Sequence, residues 1–121
     1  STLGPIARRA AASQGFTVMP DPAPNQLSFV RSDQYSFIRT GVPALAGRLA
    51  HPVGSPEAAA DRQWRAERYH GPKDDLSQPF DLPTAVRFNA YMATLIREIA
   101  DTPERPQWLP TSFFKRFATG K

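Results

Sequence analysis

The sequence predicts an α/β layered fold, and two observations carry that prediction. Short apolar runs alternate along the chain with segments of helical periodicity, the pattern expected of strands and helices packed in layers. Thirteen prolines in 121 residues punctuate those segments, so the connections are stiff and the elements short. A chain of 121 residues is one domain or part of one, and 40% apolar residues give it material for a core.

The first helix is expected from about Pro5 to Gln14, over the good helix formers of Ile6-Ala-Arg-Arg-Ala-Ala-Ala. Pro5 suits a first turn and Gly15 the position just past the end. Phe16-Thr-Val-Met19 reads as a short strand stopped by the loop Pro20-Asp-Pro-Ala-Pro24, and Leu27-Ser-Phe-Val30 as a second extended piece. Ser32 or Asp33 can cap a short helix over Gln34 to Thr40, closed by Gly41. Val42-Pro-Ala-Leu-Ala46 is a compact apolar run bounded by glycines, as expected of a buried strand. Ser55-Pro56-Glu57 starts a helix that reaches Trp64 or beyond: a capping hydroxyl, a proline at the first position and an acid at the positive end of the dipole. The clearest element is the last. Asp81 caps it, Pro83 opens it, and Phe88, Tyr91, Met92, Leu95, Ile96 and Ile99 recur at helical spacing before Pro103 ends it.

Only two or three strands emerge from this reading, fewer than a parallel sheet covered on both faces normally has. The chain therefore reads as the end of a larger domain. Such a piece would leave a sheet edge unpaired and apolar faces uncovered, and self-association of the isolated chain is expected from that.

Composition narrows the chemistry. Zero cysteines exclude disulfides, thiolate metal sites and cysteine nucleophiles, and two histidines cannot make a self-contained multi-histidine metal centre. No stretch approaches the roughly 20 apolar residues of a membrane span. The net charge of +4 suggests an acidic partner, but the arginines are spread over the whole length rather than gathered on one element, which argues against nucleic acid. The one basic-aromatic cluster is the tail, where Lys115, Arg116 and Lys121 accompany Phe113, Phe114 and Phe117. A non-catalytic module that binds nucleic acid or an acidic protein through this basic surface is the competing functional reading.

Two stretches could carry chemistry. In Tyr69-His70-Gly71-Pro72-Lys73-Asp74-Asp75, a histidine sits in a rigid loop just after a helix, with a carboxylate four residues on that could orient its ring. The alternative is a surface histidine beside solvated aspartates. In Arg31-Ser32-Asp33-Gln34-Tyr35-Ser36-Phe37, followed by Gly41-Val-Pro-Ala-Leu45, the bland reading is a capped helix packed under the following strand.

In order and spacing the two stretches together resemble the C-terminal half of the co-catalytic di-zinc aminopeptidases, metallopeptidase family twenty-eight. That family also takes in glutamate carboxypeptidase-like and glutaminyl cyclase-like enzymes. Its members read Ser-Asp-His-x-x-Phe, then Gly-(Val/Ile)-Pro-Ala, then a His-x-x-x-Asp before a final long helix. The ending Arg105-Pro-Gln-Trp-Leu-Pro-Thr-Ser-Phe-Phe114 is also similar to the tail of bacterial members.

The resemblance implies the C-terminal part of a three-layer α/β/α zinc-peptidase domain, with two or three strands and flanking helices. It makes His70 the last zinc ligand, Asp74 the residue supporting it, and Asp33 the aspartate that shapes the site without binding metal. Tyr69 falls where some relatives place a tyrosine against the substrate carbonyl, though it could equally be a packed aromatic, and Asp33 a helix cap. Two departures stand out. Gln34 replaces the usual histidine, so nothing there titrates near neutral pH. The sequence also has no His-x-Asp and no Glu-Glu, the upstream motifs that would supply the other zinc ligands and the general base. One histidine cannot hold a zinc pair, so the chain alone is expected to be inert. The implied parent hydrolyses peptides with two zinc ions and is periplasmic or secreted.

Overall fold

The computed structural model describes residues 1–118, so Lys121 of the basic-aromatic tail lies outside the described residues. Four α-helices carry the architecture: α1 (Leu3–Ser13), α2 (Gln34–Ile38), α3 (Pro56–Glu67) and α4 (Leu82–Ala100). Two 3₁₀ turns, Pro24–Gln26 and Phe113–Ala118, complete it.

The core is the contact of α1 with α4. Ala7, Ala10 and Ala11 keep one face of α1 flat, so α4 can lie close, and Ile6 and Leu95 fill the seam with Tyr91, Met92 and Ile99 against them. At the periphery Arg9 pairs with Glu98 at 3.2 Å, an exposed bridge that fixes little. A second packed group ties the C-terminal segment to α2. Ile38 and Trp108 are buried, the Trp108 ring lies 5.3 Å from Phe114, Phe114 lies 5.5 Å from Phe29, and Phe117 meets Tyr35 edge-on. Gly41 is required where this tail crosses: its φ is +90°, and a Cβ there would stand 2.9 Å from the Phe117 carbonyl oxygen.

The expected α/β fold is not what the chain adopts, since no strand occurs among the described residues. Leu27–Val30 is a turn, with Leu27 itself left-handed at φ +53°. Residues 16–21 and 42–52 do run without turn or bend, as their composition suggests, but among the described residues no ladder of backbone hydrogen bonds joins either of them to another extended segment. A strand exists only as one side of a hydrogen-bonded ladder, and the described residues supply no second side. The run Val42–Ala46 is accordingly not a buried strand; Val42 is 49% and Leu45 38% exposed. The three-layer domain with two or three strands is thus overturned for this chain.

Helix boundaries follow the sequence more closely. Ser55 accepts from the Ala58 N–H and Pro56 takes the first turn of α3; Asp81 accepts from the Thr84 N–H at the head of α4. Hydrogen bonds from Thr84 hold the Asp81 carboxyl below its usual range. Gly15 closes α1 at φ +72°. Two details differ. α1 starts at Leu3 rather than Pro5, and neither Ser32 nor Asp33 caps α2: the Ser32 hydroxyl donates back to the Ser28 carbonyl, and Asp33 makes no capping bond. Along α4, Ile96 leaves the expected apolar face and stands 62% exposed, in a second stripe with Leu82 and Val86 that nothing covers among the described residues.

Candidate functional site

The turn after α3 is where the sequence places its chemistry, and local physics builds it tightly. α3 ends at Glu67 because Gly71 and Pro72 follow, and the chain reverses through Tyr69 and His70. His70 takes the left-handed conformation at φ +56°, while the adjacent Gly71, which could adopt it without strain, does not. A non-glycine residue held there costs of order 1–3 kcal/mol unless its surroundings compensate, and such residues cluster at functional sites.

The compensation comes from Asp74. Its Oδ2 accepts from the His70 backbone N–H at 3.3 Å and its Oδ1 from Gln78 Nε2 at 3.0 Å. Gln78 Oε1 in turn accepts from the Trp64 indole N–H, so the turn is tied back to the last turns of α3. Gly71 N–H donates to the Arg68 carbonyl at 2.8 Å, and the Arg68 side chain donates to the Lys73 carbonyl at 3.3 Å, closing the loop from its other side. Asp74 therefore steadies the backbone that presents His70; it does not orient the imidazole ring as the spacing suggested. The ring is set by stacking instead, 3.9 Å from the Tyr69 ring, with Trp64 behind Tyr69 at 5.3 Å and the Arg65 guanidinium 5.5 Å over Tyr69.

Replacing Asp74 with alanine should leave the α1–α4 core intact and speed hydrogen exchange at the His70 amide by about fivefold or more, the loss of a hydrogen bond of about 1 kcal/mol. An unchanged exchange rate at that amide would remove Asp74 from this role.

Asp33 lies elsewhere. It sits exposed at the head of α2, and no hydrogen bond or ion pair among the described residues joins it to Tyr69, His70 or Asp74. Its neighbour Gln34 spends its amide on the Phe29 carbonyl at 2.7 Å, a structural bond at the position where the resemblance expected a titrating group. Residues of both segments do line one cavity of about 660 Å³, Ser32 with its neighbour Phe29 from the first and Tyr69 from the second. The sequence reading missed Trp64 and Gln78. Their one signal is position: an indole near the end of α3 and an amide fourteen residues later, spanning the turn.

Zinc is the cofactor the resemblance implies, and the donor set does not fit it. No group of three His, Cys, Asp or Glu side chains among the described residues could hold a metal ion. His51, the other histidine, is exposed beside Pro52, and Asp74 is committed to a backbone amide. Asp75 turns away as well: hydrogen bonds from Ser77 hold its carboxyl below the usual range, an ordinary local turn.

Residues 1–96 match the sequence model of peptidase family M28, a span that includes Asp33, Tyr69, His70 and Asp74. The chain belongs to peptidase family M28. No curated protein and no solved structure matches it. M28 membership gives the chain a metallopeptidase-family origin, and the match ends inside α4, so the packing around Trp108 lies beyond it. No helix of the described residues is long and apolar enough to cross a membrane.

Proposed function

We propose that this chain is the C-terminal part of the catalytic domain of a zinc-dependent exopeptidase of the aminopeptidase type, in which His70 is one zinc ligand. The observation that supports it most is the strained, cross-braced presentation of His70, inside a segment that matches the M28 sequence model. A left-handed histidine braced from two sides, with its ring exposed, is more than a solvated surface residue requires. Tyr69 is stacked beside the imidazole and lines the large cavity, which supports its reading as the group that would meet the substrate carbonyl.

The described residues cannot hold a zinc pair, so the remaining ligands and the general base come from a part of the parent outside them. The chain alone then hydrolyses no peptide. Expected substrates of the parent are peptides with a free amino terminus; cyclisation of amino-terminal glutamine is the nearest related activity, and competition between the two substrate classes separates them. By its resemblance the parent is a periplasmic or secreted protein.

Metal analysis tests this directly. After dialysis, residues 1–121 should retain only substoichiometric zinc and show no aminopeptidase activity. A longer protein that adds a His-x-Asp and Glu-Glu segment ahead of Ser1 should hold two zinc ions and be active. A full zinc pair on the short chain, or none on the longer one, would overturn the assignment.

A further inference from the structure

The C-terminal segment lies past residue 96, where the match to the M28 model ends, so family membership assigns it no role. It is nonetheless anchored along its length. The Gln107 carbonyl accepts from the Thr2 N–H at 2.9 Å, and the Gln107 N–H donates to the Thr2 hydroxyl at 3.0 Å. The Trp108 indole N–H donates to the Gly41 carbonyl at 3.1 Å. The Phe114 ring lies 5.5 Å from Phe29, and Phe117 meets Tyr35 edge-on at 6.4 Å. Beyond Gln107, these contacts all fall on residues 29–41, the stretch that contains α2.

That stretch needs support from outside itself. α2 has five residues, too few for a helix to hold its own shape in water. Its side-chain bonds are local: Gln34 Nε2 donates to the Phe29 carbonyl at 2.7 Å, and the Ser32 hydroxyl to the Ser28 carbonyl at 2.9 Å. Such bonds shape the turn without fixing where it sits on the rest of the chain. An exposed bond of 3.3 Å from Arg48 to the Ser28 hydroxyl adds little. Yet Phe29 and Ser32 line the 660 Å³ cavity that Tyr69 also lines. Phe114 is not part of that lining and reaches it through Phe29.

The turn bearing His70 is braced separately, by Asp74, Gln78 and Trp64. Trp108, Phe114 and Phe117 make no ring contact or hydrogen bond with Tyr69, His70 or Asp74 among the described residues. One support can therefore fail while the other holds.

We propose that Phe114 is a positioning residue: with Trp108 it holds residues 29–41 so that Phe29 and Ser32 keep their place in the cavity wall, and through that wall it governs substrate uptake. This rests on reading the cavity as the place where the M28 enzyme takes its substrate, and it leaves the metal-bearing turn untouched.

The test has two arms. In residues 1–121 labelled with ¹⁵N, Phe114→Ala should speed amide exchange at Val30 and Tyr35, which donate to the Leu27 and Ser32 carbonyls, by about fivefold or more. Exchange at Ala10 and Leu95 in the α1–α4 core should match the wild type. In the longer zinc-bearing protein, the same variant should keep both zinc ions and raise KM by about threefold or more, with kcat within about twofold. Phe114→Leu, which keeps apolar bulk against Phe29, should fall between the two. A merely structural role gives the opposite split, less active enzyme at an unchanged KM, and that result overturns the proposal. Unchanged exchange at Val30 and Tyr35 overturns it as well, as does loss of a zinc ion. Should Phe114→Ala fail to fold, Phe114→Leu is read in its place, and a wild-type KM there overturns the proposal. A longer protein with neither zinc nor activity overturns the peptidase reading instead, and the exchange arm then decides the placement of Phe29 by itself.

Discussion

Trp108→Ala should remove most of the stability of this chain. The indole is 6% exposed, packs 5.3 Å from Phe114, and donates its N–H to the Gly41 carbonyl at 3.1 Å. Truncating a buried aromatic to alanine costs about 3–5 kcal/mol, through lost burial and the cavity left behind. Here the Gly41 carbonyl also loses its donor, a further penalty of about 1 kcal/mol. A domain of this size has about 5–15 kcal/mol in total, and few large side chains here are fully buried, so the variant should unfold early in urea. Trp108→Phe separates the two contributions: it keeps most of the packing and loses only the hydrogen bond, so its midpoint should fall between the other two. A Trp108→Ala midpoint equal to wild type would show that the clasp between the C-terminal segment and α2 contributes nothing.

The parts of the fold legible in the sequence are those governed by local interactions. Ser55-Pro56-Glu57 and Asp81-Leu-Pro83 each contain a cap and a first-turn proline within three residues, and both helices begin there. Phe16–Met19 and Val42–Ala46 failed for the opposite reason. Their composition favours extended backbone, but whether such backbone becomes a strand depends on a partner that local sequence does not contain. The same distinction separates the site residues. Asp74 does come to His70, but at its backbone amide, and a four-residue interval does not say whether a carboxylate meets the imidazole ring or the amide behind it. The left-handed φ of His70 was equally hidden, because Gly71 beside it is the residue that sequence rules would choose. In the sequence Trp108 is one residue of the ending Arg105–Phe114, and the carbonyl that receives its indole N–H belongs to Gly41, sixty-seven residues away.

His70→Ala in the zinc-bearing parent should lose one zinc ion and nearly all activity. The imidazole stands exposed on a turn that Asp74 braces, and no group of three His, Cys, Asp or Glu side chains among the described residues could hold the ion in its place. Removing a residue that merely supports a ligand typically costs about 10–100-fold in metal affinity or activity, so removal of the ligand itself should exceed that range. Asp74→Asn supplies the internal comparison. An asparagine keeps one oxygen acceptor but turns the other oxygen into a donor, so it can serve the His70 amide or the Gln78 side chain, not both. It should weaken zinc binding within about that 10–100-fold range, because it loosens the turn rather than removing the donor. His70→Ala should also relieve the ring stack on Tyr69 without unfolding the chain, since both residues are exposed and outside the α1–α4 core. Retention of both zinc ions by His70→Ala would end the ligand assignment. Loss of zinc accompanied by a large fall in melting temperature would instead make His70 a structural residue of the turn, and the urea midpoint of the metal-free variant distinguishes the two.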